Sequence, residues 1–135
     1  MNRNSSGVLW AKCSPKGQWA VDAKALLIRK GKLTYEVDGL PPIAGGGKVL
    51  DGKPHTAVVT VRAGAAQLWL DGKVVADSPK LARPDVAGDI FKINHATADF
   101  GGAFPDSKIA RVRVWARVRV WAVQAEVRAR SPRPP

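Results

Sequence analysis

Gln67-Leu68-Trp69-Leu70-Asp71-Gly72-Lys73-Val74-Val75-Ala76 decides the fold. Two β-rich runs flank Asp-Gly, the strongest short-range hairpin signal. The cause is steric. A two-residue turn that matches strand twist needs positive φ at its centre, which Gly accepts and Asp tolerates. The same tripeptide, Asp51-Gly52-Lys53, occurs earlier. Residues 56–62 follow it, rich in β-branched side chains, and read as a strand. The chain is therefore expected to be an antiparallel β protein whose chemistry lies on sheet faces and loops.

Working outward, residues 8–12 read as a strand. Residues 25–29 and 33–37 read as a second hairpin joined near Lys30-Gly31-Lys32, and 90–93 as a short strand. Residues 38–47 hold a Pro pair and a Gly triplet and read as a loop, as do 77–89 and 94–107. Residues 122–129 are expected to form a short C-terminal helical turn. The ends, 1–6 and 130–135, read as disordered, leaving one domain over 7–129.

Composition narrows the class. Of 135 residues, 45% are hydrophobic, enough for a packed core. No apolar run approaches the roughly 18 residues that span a membrane. Residues 1–6 carry no apolar stretch and do not read as a signal peptide. The single Cys13 excludes an internal disulfide and a cysteine-built zinc site, and reads as a small buried apolar residue. Net charge is +11, and +7 of it falls within residues 108–135. Such a stripe attracts nucleic acid, sulfated glycans or anionic membranes without selecting among them, or else is only a solvated face.

That stripe contains a perfect duplication: Ala110-Arg111-Val112-Arg113-Val114-Trp115 is followed by Ala116-Arg117-Val118-Arg119-Val120-Trp121. Six is even, so one continuous strand would keep Arg111, Arg113, Trp115, Arg117, Arg119 and Trp121 on one face. Ala110, Val112, Val114, Ala116, Val118, Val120 and Ala122 would share the other. Twelve such residues would run roughly 40 Å, beyond the usual strand length. The second copy is expected to overhang the sheet or bend away at the junction, with one straight, paired strand as the alternative.

In order along the chain, 7–12, 24–33, Asp51-Gly52-Lys53-Pro54-His55, Leu68-Trp69-Leu70-Asp71-Gly72-Lys73 and 109–115 resemble pieces of the laminin-G-like, concanavalin A-like jelly rolls. These are modules of multidomain extracellular proteins, notably bacterial ones. The likeness covers residues 7–129 and departs at Pro54, where an aromatic is usual, and in the lack of the family's opening strand. It implies an all-β jelly-roll sandwich and a non-catalytic binding or adhesion module in a larger extracytoplasmic protein, with carbohydrate as ligand. A missing strand leaves an open sheet edge, which implies a homodimer or an edge filled by the extra Arg-Val strand.

Chemistry is sparse. Retaining glucanases of that superfamily need a carboxylate pair about 5 Å apart. Glu36 and Glu126 are the only glutamates, and Glu36-Val37-Asp38 lacks its second Glu. No Gly-x-Ser-x-Gly elbow presents a nucleophile. His55 reads as a structural hydrogen-bonding residue, and His95 as a loop residue. The chain is not expected to be an enzyme or to carry a cofactor. Some relatives of the resembled family bind calcium, and Asp85, Asp89, Asp99 and Asp106 lie in loops, without dense ligand spacing. Candidate ligand-binding residues are Trp69, Arg111, Arg113, Trp115, Arg117, Arg119 and Trp121, because aromatics stack on sugars or bases and arginines hold anions. Carbohydrate binding, polyanion binding through 110–121, and a ligand-free spacer remain as alternatives.

Overall fold

A computed structural model describes residues 7–15, 18–20, 22–46, 49, 51–62, 65–79, 89–93, 96, 107–117 and 120–130. At 107, 108, 116, 117, 120, 121, 129 and 130 the backbone alone is described. Ten strands follow in order: β1 (Gly7–Cys13), β2 (Lys24–Arg29), β3 (Lys32–Val37), β4 (Ile43–Gly45), β5 (Asp51–Arg62), β6 (Ala65–Leu70), β7 (Lys73–Ser78), β8 (Ile90–Ile93), β9 (Ser107–Arg117) and β10 (Val120–Arg130). They form two antiparallel five-stranded sheets. Sheet A has the order β4-β3-β2-β1-β8 and sheet B the order β7-β6-β5-β10-β9. The protein is all-β, a β-sandwich. None of the described residues forms a helix long and apolar enough to cross a membrane.

Both expected tight hairpins form. Asp71 and Gly72 have φ of 51° and 83°, and Lys30 and Gly31 have 51° and 79°, as a two-residue turn with strand twist requires. The helical turn expected over 122–129 is instead part of strand β10. Val123, Ala125 and Val127 are buried and alternate with half-exposed neighbours. Pairing on both flanks, with β5 and β9, satisfies the backbone more fully than a short helix would. Arg130, expected in the tail, ends this strand; residues 1–6 and 131–135 lie outside the described residues.

The duplicated hexad is likewise not one long strand, overhanging or straight. Arg117 and Val120 are register partners, so the chain reverses between them, inside the second copy. The first copy lies on β9. The second is divided between the end of β9 and the start of β10, and β10 sits between β5 and β9. β4, in the stretch read as loop, is a three-residue strand paired with β3.

The core lies between the sheets. Leu26, Ile28, Leu33, Tyr35 and Val37 of sheet A meet Ala57, Val59, Val61, Ala66, Leu68, Val123, Ala125 and Val127 of sheet B. A bulge between Val8 and Trp10 lets consecutive residues Leu9 and Trp10 both join this core. Trp10, 1% exposed, stacks on Phe91 at 5.3 Å and tilts against Tyr35 at 6.2 Å. The other face of sheet A is also covered. Val8, Ala11, Cys13, Ala25 and Leu27 bury there with Ala23, Ala96 and Trp19. Among the described residues, sheet A is thus packed on both sides and sheet B on one.

Along one side the two sheets nearly touch. A Cβ on Gly45 of β4 would lie 2.3 Å from the Val75 carbonyl oxygen of β7. Backbone cannot yield there as a side chain can. We predict that Gly45→Ala lowers unfolding free energy by about 1–3 kcal/mol, as overpacking does. Trp10→Ala should cost about 3–5 kcal/mol. Urea denaturation measures both, and an unchanged midpoint for Gly45→Ala would show that β4 does not approach β7 this closely.

Candidate functional site

No described residue packs on the outer face of sheet B, which is the surface that the described fold leaves available. Its residues follow from strand parity. On β5, Ala57, Val59 and Val61 point into the core, so Thr56, Val58, Thr60 and Arg62 point out. Register carries this alternation across the sheet. One row reads Gln67, Thr60, Ala122, Trp115; the next reads Trp69, Val58, Gln124, Arg113; a third reads Thr56, Glu126, Arg111. These rows put residues of β6, β5, β10 and β9 side by side at about 4.8 Å per strand.

Trp69 donates its indole Nε1–H to Thr60 Oγ1 at 3.2 Å, which holds its ring along β5. Three strands away, Trp115 is 48% exposed. Between the two tryptophans lie Val58, Thr60 and Ala122, all short, so the floor between them is low. Arg111 lies 3.9 Å from Glu126 across the β9–β10 pair, a loose, exposed ion pair.

Four of the residues singled out in the sequence, Trp69, Arg111, Arg113 and Trp115, therefore come together on one face. Trp121 does not join them by the expected route. The reversal pairs Trp121 with Ala116 and Trp115 with Ala122, so the two tryptophans of the duplication hold register positions of opposite parity. Arg117 and Trp121 are described by backbone alone, and Arg119 lies outside the described residues. Ala110 does not share the core side with Val112 either. A register shift after Glu126 makes Ile109 the partner of Val127, and Ala110 is exposed.

One end of the same sheet carries a cluster that sequence reasoning reduced to a single structural histidine. His55 places Nδ1 2.6 Å from Asp71 Oδ2 and Nε2 2.8 Å from Asp51 Oδ1. Asp71 Oδ1 also accepts the Thr56 N–H at 2.9 Å, and the Asp71 N–H donates to the Thr56 carbonyl at 2.9 Å. Asp51 Oδ1 accepts the Lys53 N–H at 2.9 Å. The two Asp-Gly tripeptides are thereby tied together through one imidazole. The repeated Asp-Gly-Lys was the signal, and only the fold shows that its two aspartates meet. Beside it, an open groove of about 480 Å³ is lined by Pro54, His55, Thr56, Ala110, Glu126, Val127 and Arg128.

Both ring nitrogens face carboxylates, so the imidazolium, donor at both, is the form that fits. Partial desolvation pulls the His55 pKa down; the bonds to Asp71 and Asp51 and their charge outweigh it, and the net shift is upward from 6.5. Burial raises the Asp71 pKa, but the bonds from His55 and the Thr56 N–H leave it below 3.8. The Lys53 N–H, then His55, lower that of Asp51. With both nitrogens engaged, His55 has no basic site to offer a substrate. Of the calcium candidates, Asp85, Asp99 and Asp106 lie outside the described residues, as does His95. Among the described residues no cluster of three or more His, Cys, Asp or Glu side chains forms a metal site.

The sign of the pH dependence follows from these shifts. A raised histidine pKa stabilises the fold fully below 6.5, and that contribution is lost as pH climbs through the raised value. The lowered aspartate pKa values contribute above 3.8 and are lost as pH falls through the lowered values. The clasp is strongest between these limits. NMR titration should place the His55 pKa above 6.5, and Asp71→Asn should lower it. A His55 pKa at or below 6.5 in the unmodified chain would show that the imidazolium is not held between the carboxylates.

In comparison with known proteins, no family model, no curated protein and no solved structure matches this chain.

Proposed function

We propose that the chain is a non-catalytic binding module that presents the outer face of sheet B to carbohydrate. The observation that carries this reading is the outer sheet face, uncovered by any described residue, with Trp69 and Trp115 standing across a floor of Val58, Thr60 and Ala122. Aromatic faces stack on the apolar faces of sugar rings. Gln67, Gln124 and Thr60 offer both donors and acceptors to hydroxyl groups. The Arg111–Glu126 pair does the same with charged partners, since a guanidinium only donates and a carboxylate only accepts.

The laminin-G-like resemblance of the sequence supports the same reading and implies that the module belongs to a larger extracytoplasmic protein. A fold alone does not fix function; the residues on the face carry the reading. Polyanion binding through the Arg-rich segment is the second reading, favoured by the +11 net charge. Glu126 in the middle of the face weighs against it, because a uniformly anionic strand would have to pass a carboxylate.

Isothermal titration against a panel of neutral glycans tests this. Trp115→Ala should weaken binding by about tenfold, and Trp69→Ala comparably. Trp115 lies at the sheet edge, so its loss should leave the urea midpoint nearly unchanged. Binding confined to DNA and heparin, and abolished by high salt, would replace this reading with the polyanion one. No binding at all would leave a spacer.

A further inference from the structure

Within the carbohydrate reading, on which this inference rests, we infer that the glycan carries an anionic substituent, carboxylate or sulfate, received by Arg113. On the outer face Arg111 and Arg113 are two residues apart on β9, followed by Trp115 at the same interval. That is about 7 Å per step. The two arginines differ in their surroundings. Arg111 has Glu126 at 3.9 Å. Arg113 is exposed, and its partner in register is Gln124, a neutral residue. Among the described residues no carboxylate forms an ion pair with it.

Like charges close together on one strand face repel. Glu126 forms its ion pair with Arg111, and no described carboxylate pairs with Arg113. An anionic ligand group seated there neutralises the excess and gains a charge-assisted, bidentate hydrogen bond. Position gives it the correct neighbour: Trp115 is the next outward residue, so a ring stacked on the indole carries its substituent toward the guanidinium.

The rest of the face argues against a nucleic acid as the source of that anion. Across the sheet from Arg113, about 14 Å away over three strand spacings, is Trp69, with neutral Val58 and Gln124 between. Asp77 pairs with Gln67 at the far side, and Glu126 lies in the row beside Arg113. Arg62 on β5 and Arg128 on β10 also lie on this face, so its arginines are interspersed with Glu126 and Asp77 and it is mixed in charge. A sugar chain bearing an occasional carboxylate or sulfate fits this mixed surface; a phosphodiester at every unit does not.

Paired polymers that differ only in charge test the inference: polygalacturonate against its carboxyl-reduced form, and dextran sulfate against dextran. Single-stranded DNA of equal length is the third arm. The unmodified chain should bind at least one charged polymer about tenfold more tightly than its neutral partner near 0.1 M salt. Which pair shows the preference tells carboxylate from sulfate. Arg113→Gln should bring that ratio close to one, and Arg113→Lys should restore part of it, since lysine keeps the charge but loses the planar fork. Circular dichroism of each variant verifies the fold. Trp115-dependent glycan binding with no preference for charge, or a preference that survives Arg113→Gln, overturns the inference and leaves the carbohydrate reading standing. DNA bound as tightly as the charged glycans overturns it in favour of a general polyanion surface. Failure of every glycan, charged or neutral, overturns the carbohydrate reading itself.

Discussion

The burial of one side of β5 is the constraint on which the rest depends. Ala57, Val59 and Val61 go into the core because sheet A supplies Leu26, Ile28, Leu33 and Tyr35 opposite them. Once that side is buried, side-chain alternation leaves no freedom on the other. Thr56, Val58 and Thr60 must face out, and register with β6 and β10 then fixes Trp69, Ala122, Gln124 and Glu126 beside them. β9 inherits its parity from β10, so Arg111, Arg113 and Trp115 are outward at one further remove. A slip of one residue at β5 would bring the polar row into the core.

The two sheets play different parts. Sheet A is packed on both faces, and its Trp10–Phe91–Tyr35 group ties β1, β8 and β3 together. Sheet B keeps an outer face that no described residue covers, where side chains can vary without cost to the core. The Asp51–His55–Asp71 clasp belongs to the end of this sheet. It joins the start of β5 to the β6–β7 turn through charge-assisted bonds. Its components are polar and partly solvated, so it orients the turn more than it stabilises the domain.

Much of the strand plan was legible. Gly72 and Gly31 mark the tight turns by their need for positive φ, and a β-branched run marks β5. Cys13 is buried as its residue type implies. The gathering of Trp69, Arg111, Arg113 and Trp115 on one face was only half legible. Alternation showed which residues share a side of their own strand, but the order β6-β5-β10-β9 is a matter of pairing between distant segments.

The sequence by itself determined the class, the hairpins and the alternation within each strand, because these rest on local sterics and a period of two. Tertiary structure decided the C-terminal third. Residues 122–129 contain helix formers as well as alternating Val123, Ala125 and Val127, and local preference does not choose between the two periods. Partners on both flanks do, by taking up the backbone N–H and C=O groups of β10. The reversal within the duplicated hexad has the same origin. Nothing in Arg-Val-Arg-Val marks a turn, but one unbroken strand from 107 to 130 would extend far past β5 with its backbone unpaired. Folding back between Arg117 and Val120 pairs both arms instead, and so places one copy of the tryptophan on the outer face of the sheet.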